Sequence, residues 1–402
     1  MSFWKKYYYE YLNSLVNFLA PANREGCKVI SDELGRVPDI QSFLEEAQKS
    51  LPADGRIIIT QYSALWEPVL RLASRLGMRT GPIEQNWLSR HDLHTFARLA
   101  GLEVVKSGTK MIMPIYIPII SWLMNVILAN IWPFSHMGLI HYAALRKAGL
   151  RTQARPSISI IVPARNEAGT IEKIVRDLPE LGSFTEIIFI EGNSTDSTFD
   201  EIRRVVDRAA DPSGKEGAAK RRLSYAKQEG KGKGDAVRKG FDMAKGDILA
   251  IYDADMTVPA HEMGKFYEAI ALNKADFING SRLVYPLAQD SMRVLNFLGN
   301  KFFSLAFSWI LGEPLKDTLC GTKVLWRSDY EKIKEGRAFF GDFDPFGDFD
   351  LLFGASKLNL KIIDLPIHYQ PRIYGTTNIS RWRHGWLLLQ MTFFAARKLK
   401  FT

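Results

Sequence analysis

The stretch Gly246-Asp-Ile-Leu-Ala-Ile-Tyr-Asp253-Ala254-Asp255 decides how this chain is read. Ile248 to Tyr252 are continuous, aliphatic and aromatic, and are bounded by Gly246 and Pro259, which predicts a buried strand. Two carboxylates one residue apart at the open end of such a strand repel each other unless a positive charge sits between them. A divalent cation suits the place, because hard ions take carboxylate oxygens and then clamp phosphates. An Asp-rich turn capping the helix that Pro259 begins is the plainer reading, and the flanking segments weigh against it.

Upstream, Ser157–Val162 predicts a buried strand, Glu167–Leu178 a helix, Glu186–Ile190 a second strand and Thr198–Ala209 another helix. This βαβα order implies an α/β domain, a parallel sheet with its ligand at the carboxyl ends of the strands. Each strand ends in polar residues at that edge. Val162-Pro163-Ala164-Arg165-Asn166-Glu167 follows the first, and Ile190-Glu191-Gly192-Asn193-Ser194-Thr195-Asp196 the second. Gly230-Lys231-Gly232-Lys233-Gly234-Asp235 then leads into a helix. This glycine run follows what reads as a charged helix, and its spacing fits neither a Rossmann fingerprint nor a Walker loop. Its amides and the helix start could face a diphosphate, or the run could be a solvated turn; for Lys233 both readings stand.

The 402 residues allow two or three domains, and an apolar share of 46% with 24% charged residues excludes a disordered chain. A net charge of +9 favours anionic partners. The basic residues are dispersed among apolar segments without a recognised binding motif, so no nucleic-acid partner is expected. Cys27 and Cys320 lie far apart, in no metal-ligand spacing, which suits a reducing compartment. No apolar core near the N-terminus reads as a secretory signal.

Residues 1–110 alternate strand and helix signals, with strands at Lys28–Ile30, Arg56–Thr60 and Leu102–Lys106. Helices are expected at Asp39–Leu51, Trp66–Leu76 and Ser89–Ala100, the last opened by a capping-box-like Ser89-Arg-His-Asp92. Residues 111–154 read as an apolar linker: no Asp, Glu, Lys or Arg stands between Lys110 and Arg146. Its uninterrupted helix, Ile119–Trp132, would cover about 20 Å at 1.5 Å per residue, short of a hydrocarbon core of ~30 Å. A segment lying in the membrane interface, packing between domains and a true span all remain open. Arg146, Lys147, Arg151 and Arg155 follow, a cluster suited to acidic headgroups. Residues 155–385 form the next domain, and 386–402 a C-terminal helix that turns cationic at Arg397, Lys398 and Lys400. Phe302–Leu311 and Trp386–Lys400 have the composition of helices that lie in a lipid interface or in a protein core.

From about 157 to about 385 the chain resembles a family 2 glycosyltransferase of the GT-A fold, and is most similar to the dolichyl- or polyprenyl-phosphate sugar transferases. The resemblance implies that Pro163, Ala164, Glu167, Glu191, Lys233 and Gly234 bind a nucleotide-diphosphate sugar, UDP- or GDP-linked. Asp253 and Asp255 would hold Mg2+ or Mn2+ against its diphosphate. Arg282, Arg293 and Arg372 would hold the phosphate of a polyprenyl phosphate, a task suited to the planar guanidinium fork. Asp348 lies where hydroxyl-directed relatives carry a catalytic base; an ionised phosphate acceptor needs none, so catalysis and site-lining both stand. The family often has paired acids where this chain reads Glu191-Gly192, and an aromatic residue where Arg165 stands. Polymer synthases add Gln-x-x-Arg-Trp, which Arg381-Trp382 does not complete. Transfer to a hydroxyl and a catalytically inactive scaffold are the rival expectations. The implied location is the cytoplasmic face of a membrane.

Residues 28–113 resemble the carboxyl-terminal half of a class I SAM-dependent methyltransferase, on Ile30-Ser-Asp32-Glu-Leu-Gly35, Leu51-Pro-Ala-Asp-Gly55-Arg56 and Asn86-Trp87-Leu88-Ser89. In that family a glycine-rich turn after the first strand carries the cofactor. Here only Gly26 precedes the region, with too few residues for the missing strands, so an incomplete Rossmann-like domain without SAM is expected.

Overall fold

A computed structural model of the chain describes residues 3–20, 26–77, 86–152, 154–210, 221–285, 294–339, 349–374 and 381–401. Two compact units divide it: Met1–Gly149 with 357–359 and 396–402, and Leu150–Ser356 with 360–395.

The first unit is a four-stranded sheet of β1 (Cys27–Ser31), β2 (Arg56–Tyr62), β3 (Leu102–Lys110) and β4 (Ile140–Lys147), in the order β1-β2-β4-β3. β1 and β2 are parallel, and β4 runs antiparallel to both β2 and β3. Alternation along β2 feeds both faces. Ile57 and Ile59 meet Leu44 of helix Ile40–Lys49 and Leu93 of helix Arg90–Leu99. Ile58 meets Leu12 and Leu15 of helix Phe3–Leu19. Ser89 and Asp92 make the reciprocal capping box that the sequence signalled. The expected linker is corrected: 140–147 is a strand inside this sheet, which the charge-free run before it had disguised. The expected continuous helix Ile119–Trp132 is corrected too. Ile119 has φ +67, and a single α turn, a π turn and a 3-10 turn follow in succession and end at Asn130. No helix among the described residues is long and apolar enough to cross a membrane.

The second unit is a seven-stranded sheet of β5 (Ile158–Ala164), β6 (Thr185–Glu191), β7 (Arg221–Lys227), β8 (Ile248–Ile251), β9 (Phe277–Ser281), β10 (Lys323–Trp326) and β11 (Ile362–Pro366). Their order is β11-β9-β10-β8-β5-β6-β7. β6 and β8 are buried throughout, and β5 is buried except at Pro163, as strands covered on both faces must be. Ile158, Ile187, Ile248 and Val324 share the core with Ile171, Ile202 and Phe266 from the covering helices. The edge strand β7 carries Arg221, Arg222 and Lys227, charges that discourage pairing with another chain. A strand, β7, therefore precedes the glycine run where the charge pattern suggested a helix.

Candidate active site

The sheet pairings bring distant loops to one edge. β8, β5, β6 and β7 are mutually parallel; β10 is antiparallel to β8 and β9; β11 is parallel to β9. The carboxyl ends of β5, β6, β8, β9 and β11 therefore share an edge with the amino end of β10.

Tyr252 anchors the acid pair. Its hydroxyl donates to the Val258 carbonyl at 2.7 Å and its amide to the Ile161 carbonyl at 2.9 Å. Asp253 Oδ1 lies 2.5 Å from Lys233 Nζ, at the first position of helix Lys233–Met243. Asp255 Oδ1 accepts from the Thr257 amide at 3.2 Å and hydroxyl at 2.9 Å, and its Oδ2 lies 3.0 Å from Arg372 Nη2. The other arm of Arg372, Nη1, donates to Glu167 Oε1. Lys233, Asp253, Asp255, Arg372 and Glu167 thus meet as two neighbouring ion-pair groups.

The electrostatics match that arrangement. Burial opposes charge on Asp253, yet the Lys233 ammonium, with Lys323 and Arg282 beyond, holds its carboxyl below the usual range. Burial and then the Asp253 charge raise Asp255, against the pull of Arg372. Burial also raises Glu167 to about 7 despite Arg372, and Glu167 Oε2 is buried without a hydrogen-bond partner. The site carries more carboxylate than its own cations settle.

The glycine run is a built turn. The Gly230 amide donates to Asp235 Oδ2 at 2.9 Å, Gln228 Nε2 donates to the Gly230 and Gly232 carbonyls, and Gly232 has φ +85. Gly234 is buried in the first helical turn. Gly321, just before β10, passes so near the pair that a Cβ there would lie 2.0 Å from Asp253 Oδ2 and 2.2 Å from Lys233 Nζ. Any side chain there would have to displace the ion pair. The role of Gly321 is not apparent from the sequence, although it sits in the stretch Asp317–Lys323.

The Glu167 loop is fixed from behind. Asn166 has φ +57, its Oδ1 accepts from the Thr195 amide at 2.8 Å, and the Glu167 amide donates to Thr198 Oγ1 at 2.8 Å. Pro163 and Ala164 close β5, with the Ala164 carbonyl accepting from the Gly192 amide at 2.8 Å. Glu191 is buried and accepts from the Ser194 amide within its own turn. The segment carrying Arg372 rests on this loop: Tyr374 donates to Asp196 at 3.4 Å and packs where a side chain on Gly169 would stand. These supports involve Asn, Thr and Gly, whose partners only the fold reveals.

Arg282 is committed elsewhere. Its Nε and Nη2 take the two carboxylate oxygens of fully buried Asp317 at 2.7 and 2.9 Å, and its amide adds a third bond at 3.0 Å. Although burial works against the charge, Arg282 holds Asp317 down to about 2. Arg372 is likewise occupied, by the acids themselves. Arg293 and Asp348 lie outside the described residues.

Among the described residues no group of three or more His, Cys, Asp or Glu gathers as a metal cage. Asp253 and Asp255 offer two hard oxygen donors, and the charge repulsion raising Asp255 is what a divalent cation would relieve. The residues fit an ion whose remaining ligands come from a bound diphosphate.

Residues 159–333 match the family model described as Glycosyl transferase family 2. This part of the chain is similar to the family 2 glycosyltransferases. Among its relatives is Glycosyltransferase AglD of Haloferax volcanii, 27% identical over 241 residues, 58% of this chain and 36% of that protein. The dolichyl-phosphate beta-glucosyltransferase of Dictyostelium discoideum is 26% identical over 53% of this chain and 66% of its own length. The dolichol-phosphate mannosyltransferase of Saccharomyces cerevisiae is 32% identical over 28% and 40%. A solved glucosyl-3-phosphoglycerate synthase of Mycobacterium tuberculosis, crystallised with Mn2+, UDP and glucosyl-3-phosphoglycerate, aligns at 16% identity and TM-score 0.43 over 61% of this chain and 80% of that one. The chain spans only 36% and 52% of the length of two of the curated relatives it matches.

Proposed function

We propose that the chain is a metal-dependent, inverting glycosyltransferase of GT-A type that moves a sugar from a UDP- or GDP-linked donor to a polyprenyl phosphate at the cytoplasmic face of a membrane. The observation that carries the reading is the pair Asp253 and Asp255, each facing a cation from a different loop at the carboxyl edge of the sheet. Such charges are placed to be exchanged. A donor diphosphate offers Lys233 the anion it now finds in Asp253, and Arg372, released from Asp255 and Glu167, is free to hold an acceptor phosphate. Bound Mg2+ or Mn2+ would be held by Asp253 and Asp255 and would neutralise the diphosphate as it departs. Pro163, Ala164, Glu167, Glu191 and the Gly234 turn would shape the nucleotide pocket. An acceptor phosphate oxygen then attacks the anomeric carbon as the nucleoside diphosphate leaves on the opposite side. Because that oxygen is already ionised, no general base is required.

The relatives named for dolichyl- and dolichol-phosphate favour this acceptor over a hydroxyl. Arg282, spent on Asp317, would position the β9 and β10 ends, leaving Arg372 and Arg293 for the phosphate. In the first unit, the parallel pair β1 and β2, extended by antiparallel β4, supports the reading of an incomplete methyltransferase-like domain that does not bind SAM. Calorimetry with SAM should show no heat of binding; micromolar affinity would refute that part.

The test is to incubate the full chain with UDP- and GDP-sugars and a short polyprenyl phosphate, with Mn2+ or with EDTA. Transfer that requires the ion and the phosphate monoester is expected. Equal transfer in EDTA would remove the metal, and transfer to polyprenols lacking phosphate would remove the acceptor.

A further inference from the structure

Residues 111–137 of the first unit are built inside out. Ile119 and Trp132 are 80% and 78% exposed, and Ile115, Tyr116, Trp122 and Ile131 are exposed beside them. The polar residues face inward: Ser121, Asn125 and Asn130 are 1%, 1% and 4% exposed. They satisfy the broken helix locally. Asn125 Oδ1 accepts from the Met113 amide at 2.8 Å, and its Nδ2 donates to the Met113 carbonyl and to Tyr7. Ser121 Oγ donates to the Ile117 carbonyl at 2.6 Å, and Asn130 Nδ2 to the Val126 carbonyl at 2.8 Å. Ile119, β-branched, holds φ +67, a backbone region such residues avoid.

In water this pattern is unfavourable throughout, since large apolar side chains stay hydrated while amides are buried. In hydrocarbon the same pattern is the stable one, because polar and backbone groups must be paired within the protein. The segment has no Asp, Glu, Lys or Arg to desolvate. Basic residues stand at its base: Lys110, whose amine burial pushes down to about 7, donates from Nζ to Asn130 Oδ1 at 2.6 Å and to the Lys400 carbonyl at 3.4 Å. That second bond brings in the turn 396–400, which carries Arg397, Lys398 and Lys400.

We propose that residues 111–137 form a monotopic membrane anchor, with Ile119 and Trp132 inserted among the acyl chains of an anionic bilayer and the basic turn 396–400 at its headgroups. The cations select the occupant. Anionic headgroups complement them, whereas a second copy of this chain would bring the same cations to the contact. The inference deepens the membrane location in the proposed function, and its test uses no transfer assay, so either can fail without the other.

The full chain is mixed with phosphatidylcholine–phosphatidylglycerol vesicles whose acyl chains carry bromine, and tryptophan fluorescence is followed. Quenching of the wild type is expected, with a distinct share of it lost in Trp132→Phe, which keeps the aromatic surface. Ile119→Glu with Trp132→Glu should weaken vesicle partitioning about tenfold or more, and both positions are too exposed for the changes to disturb the core. Quenching that is the same in Trp132→Phe would overturn the proposal, whatever the vesicle affinity. So would self-association of the wild type, abolished in the double variant, with vesicle binding unchanged.

Discussion

The two sheets of this chain open the same kind of edge and put different things there. In the first, the ends of β1 and β2 supply Asp32, with φ +55, and Gln61 and Tyr62, which with Asn86 and Trp87 line a cavity of about 10 Å³. That volume is about one water molecule. Asn86, which lines this edge, is tied to the Leu34 and Val37 carbonyls, so its amide is already spent within the unit. In the second sheet the edge groups are long cations resting on carboxylates, contacts that a phosphate or a metal ion can replace without unfolding a loop. Strand order makes an edge; only the side chains placed on it make a site.

The largest effect should come from the acids that define the contrast. Asp253→Asn or Asp255→Asn should cut sugar transfer at least about a thousandfold, the loss of several kcal/mol of charge stabilisation, with an unchanged circular dichroism spectrum. Asp32→Asn, at the matching edge of the first sheet, should leave transfer as it was. Equal losses from both would erase the distinction between the edges. Next in size is the frame behind the site. Asp317→Ala removes one partner of a buried, bidentate ion pair and leaves the Arg282 charge behind, which should cost about 3–5 kcal/mol in chemical denaturation. Gly321→Ala should be milder in stability but tell in catalysis. The new methyl group must displace the Lys233–Asp253 pair, and a loss of roughly ten- to a hundredfold in kcat/KM is expected. Wild-type activity in Gly321→Ala would mean that the pair moves away freely.

What could be read beforehand follows from where the signal resides. β5, β6 and β8 announce themselves because strands buried on both faces are continuous apolar runs. β7 does not, since Arg221, Arg222 and Lys227 blunt an edge strand and look like a solvated helix. β4 hides because 111–139 lacks charge and invites a linker boundary, and the four-residue β10 is too short for any period to appear. At the site, Asp253, Asp255 and Glu167 are legible as polar residues ending apolar strands. Lys233 and Arg372 are legible as phosphate-binding candidates but their pairing with these acids is not: Arg372 meets Glu167 across 205 positions, a contact set by β11 lying at the far side of the sheet. Arg282 shows the same limit, because the sequence offers a phosphate-binding fork and only the fold reveals Asp317 already in it.

The smallest effect concerns Glu167, and it sharpens the comparison because this buried acid belongs to the second edge alone. Burial raises this carboxyl from 4.5 to about 7, even with Arg372 bonded to it. Between those values the folded protein holds a proton that the unfolded chain has released. The associated stability is therefore fully present below pH 4.5 and is lost as pH rises through about 7. Gln cannot ionise and loses nothing over that range. The melting temperature of Glu167→Gln should match the wild type in acid and exceed it by a few degrees at alkaline pH, with the difference developing between pH 4.5 and about 7. A constant difference across that range would mean that Glu167 stays ionised, and that Arg372 is held there by a settled ion pair instead of an exchangeable one.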